Sequence, residues 1–223
     1  MIFLFNLTTI YIVGFLIKEV YIFMIMKKIV LLFALIFASS SLIAQETHNR
    51  FLGKADAPVT LYEFSSISCI HCANFSETIL PKIKEKYIDT GKAKLVFMDV
   101  PFGGSINLFA HSVLYQTKNN EDFFKLVSVL LKNQAKLKSV NDVKTYAKLM
   151  GLTDKDLTKA ENKDFQEQLV QNSQKYLKSL GVEGTPTLFI MKSGEPLTSS
   201  SVKLVGTPNF SAVEREIEKA LKK

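Results

Sequence analysis

The period of the apolar positions changes twice along this chain, from short blocks that suit strands to four-residue spacing that suits helices, and back again. Val59 to Phe64 is a β-rich run that begins directly after Pro58, and it reads as a buried strand. Beyond it Phe75, Ile79, Ile83 and Tyr87 recur every four residues until Gly91. That spacing predicts a helix over Cys72–Tyr87, kinked or distorted at Pro81. Lys94 to Val100, with Leu95, Val96, Phe97 and Met98 inside it, reads as a second buried strand. Strand, helix and strand in this order make a right-handed parallel βαβ unit.

The middle of the chain is helical in pattern. Asn107 to Lys118 is weakly periodic, whereas Glu121 to Asn133 places Phe123, Val127 and Leu130 on one face. Ser139 with Asp142 has capping-box spacing ahead of Val140 to Met150, and Gly151 stops that helix. Thr153 with Asp156 caps a short further turn, and Asp164 to Leu180 ends at Gly181. A second β-rich part follows. Thr187 to Met191 is a strand, Lys192 to Glu195 a turn, and Ser201 to Val205 the antiparallel partner. Ser211 with Glu214 caps a last helix carrying Val213, Ile217, Ala220 and Leu221. Gln45 to Pro58 reads as a polar leader. The expected class is α/β: an N-terminal βαβ unit, an all-helical insert at about 105–180, and a C-terminal ββα unit.

The first 44 residues follow different rules. Met26-Lys27-Lys28 is a basic n-region, Ile29 to Phe37 an apolar h-region, and Ala38 to Ala44 a small-residue c-region, so residues 26–44 read as a cleaved signal peptide. Residues 1–25 hold a further apolar stretch, at the short end for a membrane span. We read it as a mis-called start, with translation beginning at Met26 or Met24. Residues 45–223 then form one domain. Removing the leader takes away three lysines and one glutamate and lowers the net charge from +7 to +5. The lysines are spread without a basic block, which suits a solvated surface and argues against nucleic acid as a partner.

Composition matters most for what it leaves out. The chain has only two cysteines, Cys69 and Cys72, in the tetrad Cys69-Ile70-His71-Cys72 between the first strand and its helix. A disulfide across so short a loop removes little entropy from the unfolded chain and makes a poor staple. At a helix start, free N–H groups and the dipole stabilise a thiolate, and His71 adds an imidazolium or an N–H donor. Cys72, one turn on, faces Cys69 and can close the disulfide. The spacing suits thiol–disulfide exchange. A half zinc site lacks a second ligand pair, and no metal or organic cofactor is expected beyond the redox-active Cys69–Cys72 pair. His48 and His111 read as surface or packing residues.

With Glu63-Phe64 shortly before Cys69, the tetrad, a helical insert, and Gly184-Thr185-Pro186-Thr187 before a strand, the chain resembles the thioredoxin superfamily. Within it, the chain resembles the DsbA-like thiol:disulfide oxidoreductases of the bacterial envelope. The resemblance implies a thioredoxin-like fold over the whole mature region. It implies a cis bond between Thr185 and Pro186, where X-Pro bonds are otherwise usually trans, and a role for both residues in binding an extended substrate. It also implies a buried carboxylate at Glu63 acting as proton relay for Cys72, where an acid in a strand would otherwise point to solvent.

The function implied is an exported enzyme that introduces disulfide bonds into cysteine-containing exported proteins. A DsbB-like membrane oxidase would reoxidise it in the periplasm, and an uncleaved signal would tether the domain to the inner membrane. Two features depart from the pattern. Ile70 stands where the best-known members have proline, and the chain has no tryptophan, which weakens a thioredoxin-like reducing role. The alternatives are an envelope reductase or isomerase using the same tetrad, and a non-catalytic thioredoxin-like chaperone or metal carrier.

Overall fold

The computed structural model describes Met26 and residues 50–222. The apolar segment 1–25, the signal and its cleavage site, and His48 therefore lie, Met26 apart, outside the described residues. Among the described residues no helix is long and apolar enough to cross a membrane.

Five strands form one mixed sheet: β1 (Phe51–Leu52), β2 (Val59–Ser65), β3 (Ala93–Asp99), β4 (Thr187–Lys192) and β5 (Lys203–Val205), in the order β1-β3-β2-β4-β5. β2 runs parallel to β3 and antiparallel to β4. The sheet corrects the reading of Gln45 to Pro58 as polar leader throughout. Phe51 and Leu52 pair antiparallel with Val96 and Leu95, an edge strand too short to show a period.

Side chains alternate across the sheet. Leu61, Leu95, Phe97, Leu188 and Ile190 point into the larger core cluster, and Phe64, Val96, Met98 and Phe189 into the smaller one. By that alternation Glu63 lies on the face of Leu61 and Leu95, and so does Asp99.

After β2 the chain is helical without a break from Ile70 to Ile88. It comprises α1 (Ile70–Asn74), a π-helical turn (Phe75–Ile79), α2 (Leu80–Ile83) and a second π turn (Lys84–Ile88). The helix begins at Ile70 rather than at Cys72, with Cys69 as its N-cap residue. The distortion expected at Pro81 takes the form of the first π turn, in which Leu80 N–H bonds the carbonyl of Phe75, five residues back. A wider turn relieves the contact between a proline ring and the carbonyl four residues before it.

The insert consists of α3 (Ser105–Leu114), α4 (Asn120–Lys132), a 3-10 turn (Gln134–Lys136), α5 (Val140–Leu149), α6 (Asp154–Ala160) and α7 (Lys163–Leu180). Both expected capping boxes are closed, Ser139 with Asp142 and Thr153 with Asp156. Gly181 ends α7 at φ 62°, a left-handed conformation that favours glycine. α3 to α6 pack with α1 in the larger core cluster, while Tyr176, Leu177 and Leu180 of α7 join the smaller one on the opposite face.

At the centre of the larger cluster Phe123 meets Phe97 and Tyr115 edge to face, both with centroids 5.6 Å away. The Arg50 guanidinium lies 5.3 Å from the Phe123 ring. It donates to the carbonyls of Tyr115 and Thr117 at the end of α3, where a cation is favoured.

α8 (Phe210–Lys222) closes the chain. Its cap is Asn209, whose Oδ1 accepts from Ala212 N–H at 2.8 Å. Ser211, read from the sequence as the cap, falls inside the first turn because Asn209 offers an equally good acceptor two residues earlier.

Candidate active site

Strand directions bring three chain segments to one edge of the sheet. β2 and β3 both end there, β4 begins there, and the register sets Phe64 beside Thr187 and Ser65 beside Asp99. The segment leaving β2 carries Cys69, and the segment entering β4 carries Thr185 and Pro186, whose peptide bond is cis. Residues 116 positions apart thereby touch, the Cys69 thiol donating to the Thr185 carbonyl at 3.2 Å.

Both cysteines are free thiols, Cys69 partly exposed and Cys72 buried. Partial burial is the largest single influence on Cys69 and pushes its pKa up. The polar groups around its sulfur, the Thr185 side chain, the thiol and N–H of Cys72 and the N–H of His71, outweigh burial and leave it below the ordinary thiol value. Both N–H groups lie in the first turn of α1, where that of Cys72 also bonds the Cys69 carbonyl at 3.1 Å. The geometric contact between the two residues is the one from the Cys69 thiol to the Thr185 carbonyl.

Cys72 behaves in the opposite way. Burial pushes its pKa up to about 12, and the nearby charge of Glu63 adds to the rise. Ser66 N–H, 3.5 Å from the Cys72 sulfur, only partly offsets this.

Glu63 is 3% exposed. Burial raises its carboxyl pKa to about 7, against a smaller lowering by Ser65. The Ser65 hydroxyl is buried without a hydrogen-bond partner, so we take its effect on Glu63 and Cys72 as that of a nearby dipole and not of a formed bond. A cavity of about 510 Å³ between the Leu80–Pro81 stretch and α4 reaches Glu63, with Phe124, Val127 and Leu131 in its wall.

The structure therefore gathers Cys69, Cys72, Glu63, Thr185 and Pro186 at one place. His71 is placed differently, with its side chain exposed. What it brings to Cys69 is its backbone N–H, and its carbonyl accepts from the Thr207 hydroxyl at 3.1 Å.

Sequence reasoning missed the contribution of the insert. Gln134 Nε2 donates to the Cys69 carbonyl at 3.4 Å, and Asn107 and His111 bond the backbone just before Cys69. His111, read as surface or packing, is fully buried and hydrogen-bonded through both ring nitrogens. The one local signal was a polar pair, Asn107 and His111, four apart on a helix that is mostly apolar between Ile106 and Leu114. Among the described residues no group of three or more His, Cys, Asp or Glu side chains is placed to hold a metal ion.

A family described as Thioredoxin matches residues 45–219 of the chain. The chain is 28% identical to a probable disulfide bond formation protein D of Bacillus cereus over 187 residues, which span 78% of this chain and 80% of that protein. It is 27% identical to a putative protein-disulfide oxidoreductase of Rickettsia bellii, over 80% of this chain and 68% of that one. Among solved structures, alpha-DsbA1 of Wolbachia pipientis superposes with a TM-score of 0.70 at 26% identity, covering 78% of this chain and 90% of its own. Oxidised BdbD of Bacillus subtilis shares the fold with a TM-score of 0.68 at 23% identity, covering 80% and 95%.

Proposed function

The chain belongs to the thioredoxin family and is a DsbA-like thiol:disulfide oxidoreductase, and on that premise we propose that it introduces disulfide bonds into exported proteins through Cys69 and Cys72. In the oxidised enzyme a substrate thiolate attacks the Cys69 sulfur. The Cys69–Cys72 bond breaks, a mixed disulfide forms at Cys69, and Cys72 leaves with the electron pair and takes up a proton. Glu63 is the nearby proton donor for that step, because a carboxyl titrating at about 7 is still partly protonated at neutral pH. A second substrate thiolate then attacks the substrate sulfur of the mixed disulfide. Cys69 leaves as thiolate, the substrate holds a new disulfide, and the enzyme holds two electrons.

The observation that carries this reading is the opposite treatment of the two sulfurs. A low-pKa Cys69 is a good leaving group, which favours the reduced enzyme and so makes the oxidised one a strong oxidant. A Cys72 thiol held up to about 12 attacks the mixed disulfide slowly, leaving time for the second substrate thiol. Thr185 and Pro186 line the approach and offer backbone to an extended substrate. His71 supports the Cys69 thiolate through its N–H. The redox-active pair is the only cofactor the scheme uses. Its electrons pass to a membrane oxidase of the DsbB type, which places the working protein in the periplasm.

Equilibrating the Cys69/Cys72 pair in glutathione buffers tests the direction. A potential near about −120 mV is expected, and one near about −270 mV would make the protein a reductase.

A further inference from the structure

α3 is weakly periodic because three of its inward positions, Asn107, His111 and Ser112, are polar. Asn107 and His111, one turn apart, are 3% and 0% exposed, and both face the turn Ser66–Ser68 that leads into Cys69. The Oδ1 of Asn107 accepts from Ser68 N–H at 3.0 Å, and its amide donates to the Ser66 hydroxyl at 3.1 Å and to the Phe102 carbonyl at 2.6 Å. The Nε2 of His111 accepts from Ile67 N–H at 3.3 Å, while its Nδ1 lies 2.6 Å from Asp99 Oδ1.

An Nε2 that accepts from an N–H carries no proton of its own, so the ring proton sits on Nδ1, where the Asp99 carboxylate receives it. The other Asp99 oxygen takes the Tyr115 hydroxyl. Arg50 lies 5.9 Å from the Tyr115 ring centroid.

Four consecutive backbone N–H groups are thereby accounted for. Ser66 points at the Cys72 sulfur, Ile67 at His111, Ser68 at Asn107, and Cys69 at the Ser66 carbonyl. Burying an amide and an imidazole merely to fill space is costly where leucine would serve. Here every bond they make toward the site ends on the turn that sets both sulfurs.

We propose that Asn107 and His111, the latter oriented by Asp99, are positioning residues for thiol–disulfide exchange. They hold the Ser66–Ser68 turn so that the Cys69 sulfur stands at the N–H groups opening α1 and Ser66 N–H addresses Cys72. The proposal rests on the redox reading of the tetrad and adds to it residues from outside the tetrad and the cis-proline loop.

The test uses the full chain with Cys72→Ser, which leaves Cys69 as the single thiol, and follows its thiolate by ultraviolet absorbance across pH. His111→Leu removes the acceptor for Ile67 N–H. It is expected to raise the Cys69 midpoint by about one unit, about a tenfold loss of thiolate at fixed pH. His111→Gln supplies an acceptor again and is expected to recover most of that shift, even with a comparable loss in melting temperature. Melting temperatures that fall while the midpoint stays at the parent's would show a merely structural role and overturn the proposal, as would equal shifts for Leu and Gln.

Should His111→Leu fail to fold, Asp99→Asn keeps the volume and lets the ring proton move to Nε2, against Ile67 N–H. A raised midpoint is expected there too, and an unmoved one overturns the proposal. Because the titration needs no substrate, a protein that fails to oxidise dithiols would sink the functional reading and leave this test intact.

Discussion

The strand-bearing part of the molecule and the helical insert meet at the turn before Cys69, and they bring different things to it. Cys69, Cys72, Glu63 and Thr185 all come from β2, β4 and the loops and helix that continue them. The side chains that grip the backbone around Cys69 come from the insert: Asn107 and His111 on α3, Gln134 just beyond α4. The reactive atoms are thus built on one layer and steadied by another. The insert has two jobs that can be separated, since most of it packs the core and a few of its polar atoms reach the site.

The hardest blow falls on the strand-bearing side. Cys69→Ser is expected to abolish dithiol oxidation while moving the thermal midpoint little, because the site is partly exposed. An oxidase assay beside a melt checks this, and residual full activity would end the mechanism.

On the insert side the matching change is Phe123→Ala, which empties a fully buried position. It is expected to cost about 3–5 kcal/mol in urea unfolding and to leave the glutathione equilibrium of the folded protein where it was. A shifted potential would mean that the packing and site roles of the insert cannot be separated.

Glu63→Gln comes next. A carboxyl that titrates at about 7 in the folded chain and at about 4.3 when unfolded binds more protons folded than unfolded between those values. Stability of the parent therefore falls as pH rises across that window. The glutamine variant should lose that slope and gain roughly 3 kcal/mol above neutrality, read by denaturation at several pH values. A parent whose stability is flat from acid to neutral pH would refute the raised pKa.

The smallest effect is expected at Ser139→Ala, which opens the exposed capping box of α5. About 1 kcal/mol of stability should go, with no change in exchange rate. A slower enzyme would mean that α5 couples to the site.

The elements themselves were legible where a period or a cap lies within a few residues. β2, β3 and β4 were found by their apolar runs, and α5 and α6 by Ser139 with Asp142 and Thr153 with Asp156. β1 was not, because Phe51 and Leu52 are a strand only by pairing with β3. The start of α8 moved to Asn209 because two adequate caps lie two residues apart, and packing chose between them.

The sequence by itself determined the redox pair, the acid in β2, the threonine and proline before β4, and the α/β order of the chain. Each of these is a matter of residue type at short spacing, where local sterics and side-chain chemistry act. Only the tertiary structure decided that Cys72 is buried while Cys69 is partly exposed, and that the side chain of His71 faces solvent. It also decided that His111 serves the backbone 44 residues before it. Burial and long-range hydrogen bonds depend on which surfaces the folded chain brings together, and no local period encodes that.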